Sequence, residues 1–239
     1  MKKIFAFTFS ILLVVTAIAQ KQVNDANAEV RKVNNFHAIR VSNGIELQLS
    51  QGGTEAVAVS ASDAEFRNRI KTEVQNGVLR IYYDTDFLKD LSRNRNKKLK
   101  AYVSFDNLDG IDASSGSTVH VDGTLKLNSL NLDASSGATF HGRVEANTMK
   151  VDQSSGAVIN ISGSVNSLSV DGSSGSIFRG YELEVNTCEA ESSSGSGVQI
   201  TVNKELSAEA SSGGYVSYKG NGVIKNIRTG SGGSVNRKS

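Results

Sequence analysis

The sequence has no proline, no tryptophan and a single cysteine in 239 residues, and its basic and acidic residues nearly balance. Each shortage excludes something. One thiol, Cys188, cannot form an intramolecular disulfide framework. Without proline, and with abundant glycine and serine, the composition suits many tight turns between short strands better than a helical protein. The formal charge is +2, and Lys2 and Lys3 account for it. Without residues 1–19 the chain holds 24 basic and 24 acidic residues, which leaves no electrostatic footprint for nucleic acid.

Long apolar runs are scarce as well. One follows Lys2 and Lys3, from Ile4 to Val15, and ends near the small residues Ala17-Ile18-Ala19. That is the layout of a secretory signal cleaved before Gln20. The run is too short to span a bilayer comfortably, and no second run of about 20 apolar residues exists in the remaining chain. No cysteine stands at the cleavage site, so a lipid anchor is not expected. Residues 20–35 read as a polar leader and 36–239 as a single domain of 204 residues, long enough to bury a core.

What is present in quantity is a repeat. Asn128-Ser-Leu-Asn-Leu-Asp-Ala-Ser-Ser-Gly137 returns as Asn147 to Gly156, Asn166 to Gly175 and, more loosely, Asn186 to Gly195. Partial copies end at Gly116, Gly213 and Gly232, so the glycines are 21, 19, 19, 20, 18 and 19 residues apart. A period near 20 marks a stacked repeat architecture. Aligned on the glycine, the third residue after it is always apolar: Val119, Phe140, Ile159, Phe178, Val198, Val216 and Val235. The fifth before it is Ile111, Leu132, Val151, Val170, Ala190, Ala208 or Ile227, and the seventh includes Leu130, Met149, Leu168, Cys188 and Leu206. Polar residues alternate with these, so each repeat holds inward-facing strands on either side of Ser-Ser-Gly. A third short segment, such as Leu125 and Leu127, precedes the asparagine.

The expected fold is all-β, a right-handed single-stranded parallel β-helix with three short strands per coil of about 19 residues. Seven coils at about 4.8 Å each give a rod of about 30–35 Å. Gly116, Gly137, Gly156, Gly175, Gly195 and Gly213 are expected at one corner with positive φ. Asn128, Asn147, Asn166 and Asn186 are expected at another, where asparagine tolerates left-handed geometry and its amides can bond from coil to coil. Residues 36–105 read as opening strands that cap the repeat region, 106–235. Within them Asn76-Gly77 marks a hairpin. Asp63 to Arg69 reads as one helical turn, too short and charged to shape the fold. Lys89 to Lys100, with six basic residues and one acid, reads as a solvated loop.

Four residues before the glycines stand Asp112, Asp133, Asp152, Asp171, Glu191 and Glu209, ending in Arg228. Stacked in register, adjacent carboxylates would repel by about 0.9 kcal/mol in water. The plain expectation is that each acid accepts hydrogen bonds from the following turn. The sharper one is a Ca²⁺ shared along Asp112, Asp133, Asp152 and Asp171. No other cofactor is expected. His120 and His141 share a column with Asn160 and read as outward polar positions. No catalytic triad, phosphate loop or Cys/His metal spacing is present. The acids recur as regularly as the core, whereas a catalytic cleft should break the repeat.

Val41-Ser-Asn-Gly-Ile-Glu-Leu-Gln-Leu-Ser-Gln-Gly52, Asn76-Gly-Val-Leu-Arg-Ile81 and the repeated Asp-x-Ser-Ser-Gly together resemble the secreted head GIN domain family of auto-transporter adhesins of Bacteroidetes-type bacteria. The resemblance spans about residues 36–235, with Glu46 where the family has asparagine. It implies a right-handed β-helix and export to the periplasm, surface or exterior of a Gram-negative cell. The function expected is a non-enzymatic adhesin or binding module for glycans or cell-surface proteins, with no nucleic-acid partner and no transmembrane segment in the mature chain. The alternatives are a β-helix polysaccharide lyase or hydrolase and a purely structural envelope component.

Overall fold

A computed structural model describes residues 25–85 and 96–238. The expected signal sequence, residues 1–19, and most of the basic stretch from Lys89 lie outside these residues. Sixteen strands form one continuous sheet wound into a parallel β-helix, with one short helix. The repeat region supplies β8 (Gly110–Ala113), β9 (Thr118–Ala134), β10 (Thr139–Gln153), β11 (Val158–Gly172), β12 (Ile177–Ser192) and β13 (Gly197–Ala210). It closes with β14 (Tyr215–Lys219), β15 (Val223–Thr229) and β16 (Ser234–Arg237). All of these pair in parallel with the equivalent segment one repeat away.

In the coils from β9 to β13 only the Ser-Ser-Gly corner interrupts the strand, and the last coil breaks again between β14 and β15 at Gly220–Gly222. The serine before the glycine of each copy, from Ser115 to Ser231, has a φ of 47–52°, and the following glycine 70–78°. Both central residues of the turn are thus left-handed, as in a type I′ turn. The N–H two residues past that serine closes the turn, as in Ala138 N to Ser135 O at 3.0 Å. Each turn also grips the next. Gly137 N donates to Ser155 O at 3.0 Å and Gly156 N to Ser174 O at 3.0 Å, and the same bond recurs from Gly44 to Gly213.

The stack begins earlier than the repeat in the sequence. Asn43 (φ 61°) and Gly44 (φ 70°) form the same corner, and Gly44 N donates to Ser115 O at 3.0 Å. The strands flanking this corner, β2 (Ala38–Val41) and β3 (Glu46–Gln51), lie on β8 and β9 in register. Beyond them lie β6 (Val78–Tyr83) on β2 and β7 (Lys100–Phe105) on β3, again in parallel. Two further coil layers therefore sit in the stretch expected to be cap. Antiparallel strands close that end: β4 (Ala56–Ser60) on β7, β1 (Glu29–Arg31) on β4, and β5 (Ile70–Gln75) on β6 through the Asn76-Gly77 hairpin. Reversing strand direction at an edge breaks the parallel template that would otherwise invite another chain.

The helical turn matters more than its length implied. α1 (Ala64–Asn68) starts at Asp63, whose Oδ1 accepts from Phe66 N at 3.1 Å, and Phe66 is buried in the core. The turn is a holder for one aromatic plug.

The inward columns are buried throughout the middle of the stack, from Val119 to Val216 and from Ile111 to Ala208. Ring size is compensated inside each coil. Phe140 is followed two residues later by Gly142, and Phe178 by Gly180, where other coils pair Val119 with Val121 or Ile159 with Ile161. A Cβ on Gly180 would lie 2.4 Å from the Phe178 ring, so the second side chain is omitted wherever the first is aromatic. Cys188 sits in register between Leu168 and Leu206, and burial pushes its thiol up to about 12.

The asparagine corner is gentler than expected. None of Asn128, Asn147, Asn166 or Asn186 has positive φ. Two consecutive residues, such as Asn166 and Ser167, face outward while Val165 and Leu168 face in. That phase shift rounds the corner within extended backbone, so left-handed geometry is not needed. The amides do run from coil to coil: Asn166 Nδ2 donates to Asn147 Oδ1 at 3.3 Å and Asn186 Nδ2 to Asn166 Oδ1 at 2.9 Å.

Two outcomes are expected. In chemical denaturation Ser155→Asn should gain up to about 1 kcal/mol, because asparagine accepts the left-handed site, while Ser155→Val should lose about 1–2 kcal/mol. Cys188 should resist iodoacetamide at pH 8 in the native protein and react only once denaturant unfolds it.

Candidate functional site

Two surfaces gather chemistry-bearing residues. The first is the acid column. Asp112, Asp133, Asp152, Asp171, Glu191, Glu209 and Arg228 pair successively across six strand contacts. Arg40 stands opposite Asp112 and Arg80 opposite Arg40, so arginines bracket the column at both ends. Arg40 Nε donates to Asp112 Oδ2 at 2.7 Å, and Lys150 Nζ to Asp152 Oδ2 at 2.8 Å. These cations, rather than hydrogen bonds from the turns, offset the crowding. The expected turn-to-acid bonds are not formed among the described residues. Each acid lies on extended strand, where its side chain stands perpendicular to the sheet and points away from the following corner.

Asp133 is the strained member. Burial raises its pKa above the ordinary carboxylate value, and Asp152 and Asp112 on either side raise it further. The four aspartates considered for Ca²⁺ thus form a ladder. Among the described residues no three His, Cys, Asp or Glu side chains come together to hold a metal ion.

The second surface is a groove of about 600 Å³ at the corner that follows the Ser-Ser-Gly turn. Its length is set by irregularities in the repeat. Where β9 meets β10, the partner of His141 is His120 but that of Arg143 is Thr124, so two extra residues bulge at 121–123. Where β11 meets β12, one extra residue bulges at Tyr181. These are the coils of 21 and 20 residues, and they bracket two of 19. Bulges in register-locked strands re-aim side chains outward. Here they raise two rims over a floor made by His141, Asn160 and their neighbours.

His120 and His141 stack along the groove with ring centres 5.1 Å apart and planes 10° from parallel. Partial desolvation within the groove lowers the His141 pKa, and His120 and Arg179 lower it further. Arg179 Nη1 donates to Asn160 Oδ1 at 3.3 Å. Tyr181 Oη donates to Ser217 Oγ at 2.7 Å, and its ring receives Lys219 and Lys238 at 5.0 and 5.2 Å from the centroid. A second hollow of about 500 Å³ continues past these lysines, lined by Gly220, Asn221 and Arg237.

The sequence pattern flagged His120, His141 and Asn160 as one column. It did not flag Arg143, Arg179, Tyr181, Lys219 or Lys238. The trace they leave in the sequence is the pair of long glycine spacings, which by themselves specify neither a bulge nor a corner. His37, the remaining histidine, lies elsewhere and pairs with Asp109 at 2.9 Å.

The raised pKa of Asp133 yields a signed expectation. A carboxyl whose folded pKa exceeds its unfolded value favours the fold below that unfolded value, and the advantage is lost as pH rises through the folded pKa. Asp133→Asn should therefore raise the melting temperature at pH 7 by about 2–4 °C, for a relief on the order of 1 kcal/mol. The gain should vanish at pH 3, as differential scanning calorimetry can show.

Comparison with known proteins follows the architecture. Solved structures similar to the chain include a "putative adhesin" from Bacteroides fragilis, at 16% identity with a TM-score of 0.80, covering 88% of this chain and 96% of that one. A "putative adhesin" from Parabacteroides distasonis aligns at 18% identity with a TM-score of 0.69, over 88% and 96%. A "putative lipid binding protein" from the same species aligns at 16% identity with a TM-score of 0.65, over 90% and 98%. At these identities the likeness is one of fold. No curated protein matches the chain. A family model described as "putative auto-transporter adhesin, head GIN domain" matches residues 35–222, from just before β2 to just past Gly220. The matched stretch takes in the Asn43-Gly44 corner, the cap strands β4 and β5 and the coils through β14, and the chain belongs to the head GIN domain family.

Proposed function

We propose that the protein is an exported, non-enzymatic adhesion module that holds a glycan or a surface protein along the corner groove. The observation that carries this reading is how the groove is made. Its floor is unbroken β-ladder between β10 and β11, its rims are one- and two-residue bulges, and its lining comes from equivalent positions of successive coils. Such a trough runs along the stack and suits an extended ligand better than a small substrate enclosed from water. His141, Arg143, Arg179 and Glu182 within it are all exposed.

The placement of the acids supports the same reading. A glycosidase needs two carboxyls flanking the scissile bond. Here the acid column stands on a flat ladder, and Glu182 alone brings a carboxylate to the groove. The opening lysines and apolar run support export. No helix among the described residues is long and apolar enough to cross a membrane.

A panel of polysaccharides and surface-protein extracts, passed over the immobilised protein, separates this reading from an enzyme. Retention of intact polymer or protein is expected, with no new reducing ends and no unsaturated products. Turnover abolished by Asp133→Ala or Asp152→Ala would sink the non-enzymatic reading, and failure to retain anything would sink the binding one.

A further inference from the structure

The two ends of the stack are finished differently. Antiparallel β1, β4 and β5 close one of them. At the other, β15 pairs only with β13 and β16 only with β14 among the described residues. Each keeps one free edge of backbone N–H and C=O groups, the template on which a further strand can add.

The core is uncovered at this end as well. Ile224 and Ile227 continue the inward columns of Leu206 and Ala208. They are 38% and 41% exposed, against 0% and 3% for those two residues one coil back. With Val223 they make three of the four large apolar side chains exposed among the described residues. The fourth is Val30, on β1 at the closed end. Apolar groups gathered in this way along one edge are the surface that the inward residues of another strand would cover.

The charge of this end is of one sign. From residue 210 onward the sequence has five bases, Lys219, Lys225, Arg228, Arg237 and Lys238, and no acid. Lys225 Nζ donates to Glu205 Oε2 at 2.8 Å and Arg228 stands opposite Glu209, so acids meet β15 from the coil behind it. Its free edge has no such acids. These bases oppose a second copy as occupant, because in a two-fold end-to-end pair they would face the same bases. A head-to-tail stack is opposed too, since the closed end presents reversed strands. A strand carrying acids meets neither obstacle. Beside Arg228 it would continue the alternation of sign that Glu209 begins.

We propose that the open end is a docking site for an extended acidic segment of a partner protein, which adds as a strand to the free edge of β15. Its main-chain groups pair with those of residues 223–229. Its inward apolar side chains cover Ile224 and Ile227, and its outward carboxylates lie against Lys225 and Arg228. The pattern recognised is therefore a period-two alternation of apolar and acidic residues. A simple polyanion would satisfy the bases and leave the strand edge and both isoleucines uncovered. The site lies across the end of the stack rather than along the corner groove, so it stands independently of the groove's ligand.

The test uses a fluorescent peptide, Asp-Val-Asp-Ile-Asp-Val-Asp, titrated with the protein and followed by anisotropy. A second peptide of the same composition groups its four aspartates at one end. The alternating peptide should bind at least about tenfold tighter than the grouped one, and more weakly as salt rises. In its presence the amides of residues 223–229 should exchange with deuterium at least about tenfold more slowly, while those of β11 are unchanged. Ile227→Asp should weaken binding about tenfold or more, and Arg228→Ser about threefold. Val30→Asp, at the closed end, should change it less than about twofold. Unchanged melting curves for the three variants confirm that folding is intact.

No binding of the alternating peptide, equal binding of the grouped one, or unchanged exchange at residues 223–229 would overturn the proposal. So would a dimer of the protein alone in sedimentation that Ile227→Asp dissolves, because a second copy would then be the occupant.

Discussion

The bond from each corner glycine's N–H to the serine carbonyl of the next coil sets the register of the whole molecule. It runs at the tip of a turn whose two central residues are both left-handed, so the tip presents one donor and one acceptor along the stack. Once adjacent tips are joined, period-two alternation leaves no freedom: a slip of one residue would turn every inward side chain out. Away from the bulges, residue therefore stands on equivalent residue through the parallel coils.

That constraint has costs, and the sequence meets each of them locally. Like charges fall on like charges, so the acid column ends on arginines and takes Lys150 beside Asp152. Large rings would fall beside a second large residue in the same coil, so Phe140 and Phe178 are each followed by a glycine at the clashing position. Where outward polar groups stack without charge, as in the asparagine column, the repetition is itself favourable, because an amide both donates and accepts.

The candidate site arises where the constraint is relaxed. A strand held in register on both sides cannot change its core face, so extra residues are pushed outward as bulges. Two such bulges, on coils separated by regular ones, raise rims without disturbing the core beneath. The groove therefore keeps the period of the fold while gaining relief. A loop-built cleft would gather unlike residues at one point; this one spreads similar residues along a line.

The amino-acid sequence alone determined the architecture: the glycine spacing, the inward apolar columns, the acid ladder and the core position of Cys188 were all legible, since each depends on local periodicity. It did not reveal the first coil, because Asn43-Gly44 is separated from Gly116 by an insertion, and stacking takes no account of distance along the chain. Nor did it reveal that Phe66 plugs the cap, because five helical residues carry no period to read. Little of the groove was legible: His120, His141 and Asn160 shared a column, but the near-constant glycine spacing gave no sign of its rims. Only the tertiary structure decided at which corner the extra residues emerge and which side chains meet there. Tyr181, Lys219 and Lys238 come from three different strands or their flanks, and their meeting depends on where a coil bends, which periodicity cannot specify.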